Sequence, residues 1–109
     1  MSLPVPRQIA PGVIWDEAAE ASFLNLRELL IERGNDEVFA EREARWTTEL
    51  VLHRRLVADQ VRAAMACATP ADKRALYGWW VKKLGQAQAE RLAVFAKDEK
   101  MRARVIGWK

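Results

Sequence analysis

His53 is the single histidine of the chain, and it follows Glu49 by four residues. On a helix that spacing places an imidazole and a carboxylate on one face. Such a pair is the minimum for acid–base chemistry or for a pH-sensitive contact. A carboxylate-bridged dimetal centre needs Glu and His three apart, twice, and this chain offers one histidine at a different spacing. His53 also falls on an apolar stripe between Leu50 and Val57, where the expectation is a partly buried histidine with one hydrogen-bond partner. Nucleophiles are scarce. The only serines are Ser2 and Ser22, and the only cysteine is Cys67, set among alanines. A thiol in that setting reads as buried and inert. All five glycines are isolated, so no glycine-rich loop cradles a phosphate. The expectation is a non-enzymatic protein with no catalytic residues, no metal site, no cofactor and no small-molecule substrate.

Two residue sets remain that serve binding. The first is basic. Lys73, Arg74, Lys82, Lys83, Arg91 and Lys97 are the candidate nucleic-acid contacts, with Lys100, Arg102, Arg104 and Lys109 beyond them. The corner Leu84-Gly85-Gln86 would join two helices as in a helix-turn-helix reader, with the later helix in a major groove. Glu90, Asp98 and Glu99 interrupt that helix, and a glycine at a helix corner is generic. The second set is apolar. Five tryptophans in 109 residues is a high count. Trp46 and Trp80 fall on expected core stripes. Trp79 and Trp80 are adjacent, about 100° apart on a helix, so both cannot face one core. Trp79 is therefore a candidate interface residue, together with Val38, Phe39 and Arg42 at the charged start of the second helix.

The elements that position these residues follow from the breakers. Pro4, Pro6, Pro11 and Gly12 forbid helix near the N-terminus, which predicts an irregular Pro-rich arm over 1–15. A first helix is expected over 16–33, with Asp16 as its cap, an apolar face of Ala19, Phe23, Leu26 and Leu30, and Gly34 at its end. From Asn35 to Thr69 there is neither Gly nor Pro, so a long central helix is expected over 36–68. About 32 helical residues would span ~48 Å. Its stripe is Trp46, Leu50, His53, Val57, Val61, Ala64 and Ala68. Thr69-Pro70-Ala71-Asp72 is a helix start with a cap, a proline and a returning carboxylate. The third helix is expected over 70–84, with Leu76, Tyr77, Trp80, Val81 and Leu84 inward. Gly78 inside it would allow close approach of another helix. A fourth helix is expected over 87–106. The fold class is all-α: a small four-helix bundle or orthogonal helical domain over 16–109, with no strand pattern.

The 109 residues suit one small domain. Half are apolar and 30% are charged, a globular balance. The net charge of +3 is unevenly spread, at −2 over 1–34, −1 over 35–68 and +6 over 69–109. A basic third points towards anionic partners, and equally serves to solvate helices. A lone cysteine excludes an internal disulfide. No run approaches the ~18 apolar residues of a membrane span and no secretion signal is seen, so the expected location is cytoplasmic.

Arg42-Glu43-Ala44-Arg45-Trp46, and the stretch from Pro70 to Leu92 centred on Trp79-Trp80-Val81-Lys82-Lys83-Leu84-Gly85, carry a resemblance. The segment 41–96 is similar to a loose class of short uncharacterised helical proteins of phage and prophage genomes. The resemblance implies an accessory product acting through protein contacts and transfers no functional residue. The expected partner is a second copy of the chain, as a homodimer, or another protein. The alternative is nucleic-acid binding through 69–109.

Overall fold

The computed structural model describes residues 3–108. In chain order the elements are β1 (Arg7–Ala10), β2 (Val13–Trp15), α1 (Glu17–Glu32), α2 (Glu37–Met65), α3 (Pro70–Leu84), α4 (Gln86–Lys97) and α5 (Glu99–Ile106). The fold is all-α with one long central helix and a small N-terminal hairpin. Its contacts divide into two units, one up to His53 and one from Arg54 onward, so the boundary lies inside α2. Met1, Ser2 and Lys109 lie outside the described residues.

In the first unit, the expected irregular arm is instead an antiparallel hairpin. Arg7 pairs with Trp15, Gln8 with Ile14 and Ala10 with Val13, with a bulge between Gln8 and Ala10. Pro11 and Gly12 form the turn. Gly12 has φ 77°, the positive value a turn with proline before it requires. Prolines exclude helix, but they do not exclude strand at the edge of a two-stranded sheet. The alternation in β2 is plain: Val13 and Trp15 are buried and Ile14 is exposed. Asp16 caps α1, accepting the Ala19 N–H at 2.8 Å. Trp15 then meets Phe23 edge-on, with ring centroids 5.7 Å apart. Its indole N–H donates to Glu20 at 2.6 Å, and the Arg7 guanidinium stacks 4.8 Å from its ring. Such an aromatic pair contributes about 0.5–1.5 kcal/mol beyond its area. Ala19, Phe23 and Ala44 close this core, with Val5, Ile9, Leu26 and Leu52 around it.

The long helix is capped by Asp36, which accepts the Phe39 N–H at 2.7 Å. Before His53 its buried residues are Ala40, Ala44 and Thr48, a ladder of small side chains at intervals of four. This corrects the expected stripe. Trp46 stands two positions from Ala44, about 200° around the helix, and is exposed. His53 is exposed too, not partly buried. Further along, Val57 and Val61 are buried and Ala64 is half-buried, as expected, but Ala68 is exposed and lies past the end of the helix. The helix ends at Met65 rather than 68, because Thr69 is extended to serve as the next cap and precedes a proline.

In the second unit, α3 begins with the full reciprocal cap. Thr69 Oγ1 accepts the Asp72 N–H at 3.1 Å, and Asp72 accepts the Thr69 N–H at 3.3 Å. The core gathers Val57, Ala58, Val61, Trp80, Leu84, Ala89, Leu92 and Val105. Trp80 donates its indole N–H to Gln60 Oε1 at 3.0 Å, so its one polar atom is satisfied. Gly85, at φ 96°, turns the chain directly from α3 into α4. Gly78 meets nothing within 4 Å of an added Cβ, so the expected close approach of a helix there does not occur. The expected single helix over 87–106 is two helices. Asp98 is extended and accepts the Met101 N–H at 3.0 Å. It thereby ends α4 and caps α5, as short acidic side chains do. Arg62 fastens α5 by donating to the Ile106 carbonyl at 2.9 Å, and Trp108 packs edge-on against Phe95.

Candidate protein-interaction face

With Ala40, Ala44 and Thr48 turned inward, the other side of α2 in the first unit is fixed by helical geometry. Val38, Glu41, Arg42, Arg45, Trp46 and Glu49 line one open groove along it. Val38 is 75% exposed and Trp46 60%. Phe39 lies at its margin, where the Arg42 guanidinium sits 5.9 Å from the ring. Arg45 is bonded to Glu41 at 3.0 Å, an exposed pair that contributes little to stability. Two arginines and two glutamates thus stand between large apolar side chains. A solvated helix face does not need a tryptophan and a valine in the open. Trp and Arg are the types enriched where proteins meet.

Of the four interface residues expected from sequence, the structure brings Val38, Phe39 and Arg42 together on this stretch of α2. Trp79 belongs to α3 in the second unit. It is 44% exposed while Trp80 beside it is 3% exposed, the divergence that adjacent helical positions impose. Sequence reasoning missed Glu41, Arg45, Trp46 and Glu49 as members of the outer face. The signal was the Ala40–Ala44–Thr48 ladder, which outweighs a large apolar residue off its line.

The expected nucleic-acid contacts do not form one face. Lys73, Arg74, Lys82, Lys83, Arg91 and Lys97 are all exposed. Lys73 and Arg74 diverge by ~100°, as do Lys82 and Lys83. Lys73 and Lys97 do line a common cleft, together with Arg102.

Glu49 and His53 both lie in α2, four residues apart. Cys67 is half-buried and its thiol lies 3.4 Å from the Ala63 carbonyl. Among the described residues, no three His, Cys, Asp or Glu side chains converge as metal ligands would. No helix among them is long and apolar enough to cross a membrane. No family model matches the chain, and no curated protein or solved structure matches it either.

Proposed function

We propose that this chain is a non-enzymatic helical protein-interaction protein that pairs with a second copy of itself through the outer face of α2, in the manner of an accessory phage or prophage product. The observation that carries it is Val38 and Trp46 left open to solvent on one helix face, with Phe39 beside them. The charges support a second copy as the occupant. Arg42 and Arg45 against Glu41 and Glu49 make a face of balanced sign, which a copy of itself can complement. A two-fold axis repeats each such contact. Burying a tryptophan and a valine supplies the apolar centre, and the charged rim sets register more than affinity.

The test is a double variant, Val38→Ser with Trp46→Ser. Sedimentation velocity is expected to show a dimer for the natural chain and a monomer for the variant, with the helical circular dichroism unchanged. Trp79→Ser, in the other unit, is expected to leave the dimer intact. Unaltered association of the double variant would refute the α2 face.

Nucleic-acid binding by the basic residues of 69–109 is the competing reading. Exposure of all six candidate cations supports it, and their divergence around the helices weighs against it. Phosphate contacts make affinity fall steeply with salt. If duplex DNA binds at low ionic strength and Lys82→Glu, Lys83→Glu and Arg91→Glu together abolish it, this reading displaces the first.

A further inference from the structure

Three alanines leave a hollow in the second unit. Ala64 of α2 and Ala93 and Ala96 of α4 face Leu76, Tyr77 and Trp80 of α3 across a cleft of about 570 Å³. Small-molecule sites typically measure ~300–1,000 Å³, and any larger side chain at the alanine positions would narrow this one. Its walls are apolar, but its edge is not. Lys73 comes from α3, Lys97 from the last turn of α4 and Arg102 from α5, and no Asp or Glu lines the cleft. Among the described residues none of these three cations lies within 4.0 Å of a carboxylate; the ion pairs there are Arg45–Glu41 and Arg62–Asp59. Arg102 is held in place, donating one N–H to the Ala96 carbonyl at 3.1 Å. A guanidinium carries five N–H donors, so this bond leaves Arg102 with donors to spare.

An apolar hollow with a wholly cationic edge selects by both features. Its walls take a hydrocarbon or aromatic body. Its edge forms charge-assisted hydrogen bonds with an anionic head and repels a cationic one. We infer that this cleft binds a small amphipathic carboxylate, its head group at Lys73, Lys97 and Arg102 and its body against Leu76 and Ala93. The site uses no residue of the α2 outer face and stands or falls apart from self-association. It also departs from the sequence-based expectation that no small molecule is bound.

Dodecanoate, naphthoate and dodecyltrimethylammonium, each below its micelle concentration, test this by titration calorimetry on the full chain. Cys67 lines the same cleft, so its alkylation rate by iodoacetamide gives a second readout. At least one of the two carboxylates is expected to bind, one molecule per chain, and to slow alkylation. The cationic amphiphile is expected to bind at least about tenfold more weakly, a difference of about 1.4 kcal/mol. Lys73→Glu with Lys97→Glu, checked for unchanged circular dichroism, is expected to lower carboxylate affinity by at least as much. Equal binding of anionic and cationic amphiphiles, undiminished affinity of the charge-reversed variant, or no binding of either carboxylate would each overturn the inference.

Discussion

The two units of this chain spend their large apolar residues differently. In the second, Trp80, Leu84, Leu92, Val57, Val61 and Val105 are buried together, and Met65, Trp79 and Val94 are the large apolar residues left exposed among those described. In the first, Trp15 and Phe23 close a small core over alanines, while Leu24, Leu29, Ile31, Val38, Phe39 and Trp46 remain open. A few scattered apolar residues on a surface are ordinary, whereas a larger patch marks an interaction site, and Val38 and Trp46 line one groove. The second unit thus meets its burial needs with its own helices. The first leaves Val38, Phe39 and Trp46 open along α2, and that contrast is what supports the proposed self-association.

Substitutions can break this contrast. The largest effect is expected from Trp80→Ala, which empties the centre of the second core and removes a partner of Gln60. A loss of about 3–5 kcal/mol in denaturant unfolding is expected, and a loss under about 1 kcal/mol would show that this core is not the stabilising one. Ala44→Leu tests the first unit. Ala44 is fully buried beneath Trp15 and Phe23, so added volume there should cost about 1–3 kcal/mol. A neutral outcome would mean that the small-residue ladder is not the packed face, and the outer face would lose its definition. Thr69→Ala removes one half of the reciprocal cap of α3 and is expected to cost about 1 kcal/mol, read as a shift in the unfolding midpoint. Gly78→Ala should act in the opposite direction. The added methyl meets nothing within 4 Å, so a gain of about 0.5–1 kcal/mol in stability is expected.

Most of the helical framework was legible in the sequence because its start and stop signals are local. Thr69-Pro70-Ala71-Asp72 delivered α3 at its observed bounds, Pro70–Leu84, and Asp16 with Gly34 delivered α1. Two errors came from reading one signal too widely. Pro4, Pro6 and Pro11 argue against helix but not against strand, and the Pro11-Gly12 turn followed by the β-branched and aromatic run Val13-Ile14-Trp15 is a hairpin signature. Asp98 reads by periodicity as a charge within a helix, although an Asp followed by Glu is also a helix start. The face of α2 was legible only from Val57 onward. Periodicity ranks residues by hydrophobicity, so it placed Trp46 inward. The buried face carries instead the small residues Ala40, Ala44 and Thr48, of which Ala44 packs with Trp15 and Phe23, and tertiary fit overrides the ranking. The cleft edged by Lys73, Lys97 and Arg102 had no sequence signal, because its cations come from three helices brought together only by folding.

The most direct measurement is the mass of the unaltered chain in solution, by light scattering during gel filtration at micromolar concentration. One chain weighs 12.5 kDa. Pairing through Val38 and Trp46 predicts a species of twice that mass. A single-chain mass across the concentration range would contradict it.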